Sequence, residues 1–228
     1  MLRLYNLEDS METMALSKEG SVYVLTLTNN ATGNAFTLKA LEEYHAVFDQ
    51  IEQSGENCSL VVTSSDPKSW CTGIDLEWMK TQPENYFPEF GQLLDKFFIR
   101  LALLPVPTIG CLTGHTFAGG AIMAACFDFK LMRKDKGWFC LPEVDINIPF
   151  TPVMHQIISL FPNQQALKEL VLTGKRIGGQ EAADSKLVDS SWPDAELKTK
   201  TMELAQILAG KNRKVYASIK RGLKSNLK

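Results

Sequence analysis

The chain has 228 residues, of which 45% are hydrophobic, 22% charged and 9% aromatic, enough apolar material for a packed core and far from the low-hydrophobicity, high-charge regime of disordered chains. With 24 Lys+Arg against 26 Asp+Glu the net charge is −2, which argues against a general nucleic-acid binder, a class with a strong basic excess. The longest nearly unbroken apolar stretch, Ala118 to Phe127, is about half of the roughly 20 residues that a membrane span needs, so no membrane segment is expected.

Residues 1–15 show no clear period and no secretory pattern, and are expected to form a mobile tail. Ser21 to Leu27 is β-branched and alternating, a strand, and Asn29 to Asn34 supplies turn chemistry. Thr37 is a good N-cap for a helix with Leu38, Leu41, Tyr44, Val47, Phe48 and Ile51 on one face, closing near Gly55. Ser59 to Ser64 reads as a buried strand, and the strand–helix–strand order implies parallel pairing. Residues 77–92, with Pro83 and Pro88, read as a mobile loop; Leu93 to Leu104 is an amphipathic helix ended by Pro105 and Pro107. Thr108 to Thr113 is a strand running through Gly114 and Gly119-Gly120 into an apolar helix that ends at Cys126. Two further strands follow, Phe129 to Arg133 and Gly137 to Cys140. Strands are expected to cease around residue 145, with helices beyond Phe150. The whole is an α/β chain: a βα-repeated core over residues 16–150 and a helical region over 151–228.

Five cysteines (58, 71, 111, 126 and 140) are odd in number and set in apolar sequence. They read as reduced core thiols of an intracellular protein. No His/Cys group has zinc-ligand spacing, so no metal is expected. There is no GxGxxG, phosphate-binding loop, HExxH or GxSxG motif. His45, His115 and His155 lack a titratable neighbour in sequence and read as structural or surface residues.

Two loops share the order strand, glycine, helix start: Trp70-Cys71-Thr72-Gly73-Ile74-Asp75-Leu76 and Phe117-Ala118-Gly119-Gly120-Ala121. Glycine there permits positive φ and leaves backbone N–H groups unpaired at a helix N-terminus, where they can receive negative charge. Two such donors converging on one point make an oxyanion hole. Asp75 reads as the cap of the helix after the first loop.

From Val22 to about Leu223 the chain resembles the crotonase (enoyl-CoA hydratase/isomerase) superfamily. The matching stretches come in family order: Asn30 to Phe36, Trp70 to Leu76, Pro105 to His115, Cys126-Phe127-Asp128, and Leu172 to Arg176 continuing through Glu181-Ala182-Ala183 to Leu187-Val188-Asp189. Within the superfamily, Asp128 to Asn147 looks most like the Δ3,Δ2-enoyl-CoA isomerases of plants. The resemblance implies a ββα spiral core with a C-terminal helical oligomerisation region, and a homotrimer or dimer of trimers. It implies an acyl-CoA thioester as substrate, with coenzyme A part of the substrate and no separate cofactor. The oxyanion donors would be the backbone N–H groups of Ile74 and Gly119, with Ala35, Gly73, Gly120 and Ile122 around the substrate.

The family's hydratases carry two glutamates, one three residues beyond Gly119 and one in a "P-E" segment; here the first position is Ile122 and only Glu143 remains. Adding water needs groups to orient it, take one proton and deliver another. Moving a double bond needs one group that carries a proton from C2 to C4 of the same substrate. Set among Ile122, Val144, Ile146 and Phe150, Glu143 should lose solvation and have its pKa raised. Asp145, two residues on, would share its face on an extended segment, as a second carboxylate or a salt-bridge partner.

Residues 211–228 hold seven basic side chains and no acid. They read as an amphipathic helix with Val215, Ile219 and Leu223 facing inward and cations available to coenzyme A phosphates. The last residues, Ser225-Asn226-Leu227-Lys228, are not the Ser-Lys-Leu peroxisomal address. A cytoplasmic location is expected, or a peroxisomal one if the C-terminus has been trimmed. The expected activity is Δ3,Δ2-enoyl-CoA isomerisation, against two rivals: another crotonase-type reaction (thioester hydrolysis, decarboxylation or hydration), or a non-catalytic acyl-CoA-binding or RNA-associated relative.

Overall fold

The computed structural model describes residues 11–227. Its first hairpin, β1 (Met14–Glu19) and β2 (Val22–Leu27), turns at Gly20, whose φ of +61° suits a residue without a side chain. Parallel to β2 run β3 (Ser59–Ser64), β5 (Thr108–Leu112), β7 (Phe129–Arg133) and β9 (Ser190–Trp192), giving the order β1-β2-β3-β5-β7-β9. A second sheet of three short parallel strands, β4 (Ser69–Cys71), β6 (His115–Phe117) and β8 (Phe139–Cys140), lies beyond the ends of β3, β5 and β7 in sequence. Each pass therefore places one strand in the large sheet and one in the small sheet, and the first two passes then lead into helix. This is the ββα spiral expected from the sequence.

The first helix, α1 (Leu38–Ser54), forms as its pattern dictates. Thr37 accepts from the Ala40 N–H at 3.2 Å, and Gly55 closes the helix at φ +64°. Val47, Phe48 and Ile51 are fully buried, each contributing about 1.5–3 kcal/mol of burial free energy. After β4 come α2 (Leu76–Lys80) and α3 (Tyr86–Leu103), after β6 comes α4 (Gly119–Cys126), and five helices complete the chain: α5 (Pro152–Ile158), α6 (Gln164–Thr173), α7 (Gly179–Asp184), α8 (Asp194–Ala209) and α9 (Arg213–Leu223). Among the described residues no helix is long and apolar enough to cross a membrane, and all five cysteines are buried and unpaired.

Four expectations are corrected. The mobile tail expected over residues 1–15 is not found at its C-terminal part: residues 1–10 lie outside the described residues, but the buried Glu43 carboxylate accepts from the Glu12 and Thr13 amides at 2.8 and 3.0 Å, just before β1. This anchor is 30 residues away in sequence, so local pattern does not show it. Residues 77–92 are not a loop but α2 and the start of α3. Pro88 sits in the first turn of α3, where its missing N–H costs nothing, and Trp78 packs on Phe90 at 5.1 Å. Strands do not cease near residue 145, because Ser190–Trp192 pairs with β7; it is three half-buried residues without a period of its own. In α9, Val215, Ile219 and Leu223 are 57%, 60% and 79% exposed, not inward. What α9 turns inward is Lys220 and Lys224, drawn onto the buried Asp128.

Asp128 lies between the end of α4 and the start of β7. Its carboxylate meets the Lys220 and Lys224 ammonium groups at 2.6 and 2.9 Å, and also accepts from the Tyr216 hydroxyl and the Thr108 amide. The lysines spend their remaining donors on the carbonyls of Leu104 and Val106, and of Ala102 and Cys126. Burial alone would raise the Asp128 carboxyl; the charges of Lys220 and Lys224 outweigh it and hold it below its ordinary value. Arg213 donates to the carbonyls of Ile51, Glu52 and Glu56. Of the C-terminal cations expected to be available to phosphates, these three are engaged within the fold, whereas Lys211, Lys214 and Arg221 are exposed.

Candidate active site

The two glycine loops meet. Phe36 donates its amide to Gly73 O at 2.7 Å and accepts from Asp75 N at 3.0 Å. In an extended segment successive residues turn their peptide groups to opposite edges, so the Ile74 N–H is left facing away from Phe36. Asp75 caps α2, accepting from Trp78 N at 2.9 Å, as its position in the sequence suggested. Gly73 holds φ +87°, and a Cβ on it would stand 2.8 Å from the Gly119 nitrogen. Gly119 opens α4, so its N–H belongs to the first turn, which has no intrahelical acceptor. Among the described residues neither the Ile74 nor the Gly119 amide has a hydrogen-bond partner.

Ala118, just before Gly119, holds φ +49° and ψ −124°, a conformation that costs a residue with a Cβ on the order of 1–3 kcal/mol. It is kept in place by Ala118 N donating to Cys140 O at 3.1 Å, and by Ala118 O accepting from Ala121 and Ile122 at 2.8 and 3.0 Å. That conformation determines where the Gly119 N–H points. Gly120 packs so closely on the Cys71 carbonyl that any side chain would collide with it; Gly120 thus fixes the distance between α4 and β4. Ala35 is buried beside Phe36. Ala35, Gly73 and Gly120 shape the loops but do not line the cavity between them.

That cavity, about 100 Å³, is lined by Thr72, Ile74 and Leu76, by Phe87, Gly91 and Leu94 of α3, by Ala118, Gly119 and Ile122, by Glu143, by the segment from Ile146 through Ile148, Pro149 and Phe150 to Thr151, and by Met154 of α5. A single water needs about 15 Å³, so the cavity is larger than a one-water void. Glu143 is the one carboxylate in this lining. It is 6% exposed, its Oε2 has no partner among the described residues, and burial pushes its pKa up to about 7 from an ordinary 4.5. Removing water from a carboxylate without supplying a counter-charge disfavours its ionised form and makes it a stronger base.

Asp145 is not on the same face as Glu143. The segment is a turn, with Asp145 N donating to Pro142 O at 2.9 Å and Ile148 N to Glu143 O at 3.1 Å. The turn sends the Asp145 carboxylate against the Gly174 backbone, into space that a side chain there would fill. Val144 is likewise turned out, half exposed. Sequence reading missed the α3 and α5 walls: Phe87, Gly91 and Leu94 carry no local sign of a site, and they meet Met154 only through the packing of α3 on α5.

Residues 17–228 match the family model described as enoyl-CoA hydratase/isomerase. The chain is 30% identical over 226 residues to enoyl-CoA delta isomerase 2, peroxisomal, of Arabidopsis thaliana, an alignment that covers 91% of this chain and 90% of that protein. It is also 30% identical over 197 residues to the short-chain-enoyl-CoA hydratase of Clostridium acetobutylicum, covering 86% of this chain and 74% of that protein. The solved structure of an enoyl-CoA hydratase from Bacillus anthracis shares the fold, with a TM-score of 0.85 at 22% identity over 93% of this chain and 82% of that one. The match running from residue 17 to residue 228, and relatives aligned over most of their length, place the chain in the enoyl-CoA hydratase/isomerase (crotonase) family.

Proposed function

We propose that this protein is a Δ3,Δ2-enoyl-CoA isomerase. The observation that carries the reading is one desolvated carboxylate, Glu143, in a largely apolar cavity lined also by Ile74 and Gly119, whose backbone amides have no partner among the described residues. The thioester oxygen of a 3-enoyl-CoA would accept from the Ile74 and Gly119 N–H groups. Glu143 would then take a proton from C2; the electron pair delocalises through the thioester and the C3–C4 double bond as a dienolate. The same proton returns at C4, leaving the double bond between C2 and C3. The amides bond more strongly as charge gathers on the oxygen, a contribution of about 3 kcal/mol per donor. No redox change occurs and no water enters, so the reaction needs no group beyond the coenzyme A of the substrate. The delta isomerase of Arabidopsis thaliana supports this reading by similarity.

Hydration is the second reading, because the hydratase of Clostridium acetobutylicum is equally identical. Against it stands Ile122, which occupies the cavity wall at the position where the family's hydratases carry their other glutamate. For assembly, the exposed apolar Val215, Ile219 and Leu223 of α9 are candidates for burial between subunits of the proposed trimer or dimer of trimers.

The pH profile tests the base. Glu143 must be ionised to accept the C2 proton, so kcat/KM on 3-hexenoyl-CoA should rise about tenfold per pH unit below neutrality and level off above about 7. A plateau extending down to pH 5 would mean that the base titrates in the ordinary carboxylate range, against the raised value that burial gives Glu143. The oxyanion hole is tested by Gly73→Ala. The added methyl would press on the Gly119 nitrogen from a residue at positive φ, and kcat should fall about 100-fold through loss of one donor. A Gly73→Ala protein with parent kcat would remove Gly119 from the hole.

A further inference from the structure

Gly91 stands inside α3, where glycine is the least favourable residue after proline. At Gly114, Gly120 and Gly179 a backbone group occupies the place of a side chain, which explains the glycine; at Gly91 nothing lies within 4 Å of where a Cβ would stand. Packing therefore does not require glycine at this position. Gly91 does line the cavity, between Phe87 one turn before it and Leu94 one turn after it. The wall it belongs to is pinned: Thr151 Oγ1 donates to Asp95 Oδ1 at 2.6 Å while capping α5 by accepting from Met154 N at 3.1 Å. With α3 tied to α5 at Asp95, one turn beyond Gly91, a side chain at 91 would project from the same cavity-lining face as Phe87 and Leu94 and take space there.

We propose that Gly91 is a specificity-determining residue, and that its bare backbone is the surface over which a linear acyl chain runs beyond C4. The open position admits long chains, and side-chain bulk there restricts the enzyme to shorter ones. The inference rests on the acyl-CoA reading of the cavity, but it is separable from the isomerase chemistry, because binding of saturated thioesters tests it without turnover.

The experiment measures dissociation constants of dodecanoyl-CoA and butanoyl-CoA by titration calorimetry for the parent, Gly91→Ala and Gly91→Leu. Gly91→Leu should weaken dodecanoyl-CoA at least tenfold and leave butanoyl-CoA within twofold. Gly91→Ala should weaken dodecanoyl-CoA about threefold and raise Tm by about 2 °C, since alanine is the better helix former. If Gly91→Leu does not fold, Gly91→Ala decides. Equal effects on both thioesters, or none, would overturn the proposal, as would a parent that binds neither. A parent that binds both but isomerises no 3-enoyl-CoA would sink the isomerase reading and leave the role of Gly91 standing.

Discussion

Replacing Glu143 by glutamine is expected to lower kcat on 3-hexenoyl-CoA about a thousandfold, within the range that a positioned general base contributes. The amide keeps the shape of the side chain and cannot accept a proton from C2. Because Glu143 is buried with one oxygen unpartnered, the variant removes a strained charge and should fold with a Tm equal to or above that of the parent. KM should change little, since the thioester is held by backbone amides that the substitution does not touch. Steady-state kinetics with thermal melting checks all three. An E143Q protein isomerising within tenfold of the parent rate would leave the proposed chemistry without its base.

The second large effect is on stability. Asp128→Ala leaves the Lys220 and Lys224 ammonium groups buried without their shared counter-charge. Breaking a buried pair by removing one partner costs about 3–5 kcal/mol, which for a chain of this size lowers Tm by on the order of 10 °C. Adding Lys220→Met should recover part of the loss, because it removes one of the stranded charges. The residues that line the cavity are not part of this cluster, so the protein that remains folded should keep the parent kcat. A melting series of the single and double variants at pH 7 provides the check. A D128A protein with unchanged Tm would show that α9 is held by something other than this carboxylate.

Legibility in the sequence followed the range of the interactions. Thr37, Gly55 and the apolar face from Leu41 to Ile51 announce α1 because a helix is built from contacts three and four residues apart. The two glycine loops were visible for the same reason: strand, glycine and helix start follow one another within seven residues. Glu143 was legible through its Pro-Glu segment, read against the resemblance to a family, and the isoleucine at 122 bore on which reaction it would serve. What was hidden depends on distant partners. No local pattern predicts that Lys220 and Lys224 turn inward, because the carboxylate that draws them lies 96 residues before Lys224. An amphipathic reading of α9 therefore placed Val215, Ile219 and Leu223 inside and all its cations outside, whereas those three are exposed and Lys220 and Lys224 turn inward. Asp145 was misplaced by assuming an extended segment where hydrogen bonds from Pro142 O and Glu143 O close a turn. The α3 wall was masked by Pro88, which breaks a helix in its middle but not in its first turn.

One carboxylate with two amides, as proposed, should transpose a double bond and not hydrate it. The most direct measurement supplies 3-hexenoyl-CoA and 2-hexenoyl-CoA in parallel to one preparation of the protein and identifies the products chromatographically. 3-Hexenoyl-CoA should be converted to 2-hexenoyl-CoA, and 2-hexenoyl-CoA should give 3-hydroxyhexanoyl-CoA at least a hundredfold more slowly, if at all. Hydration of 2-hexenoyl-CoA at a rate equal to or above isomerisation would contradict it.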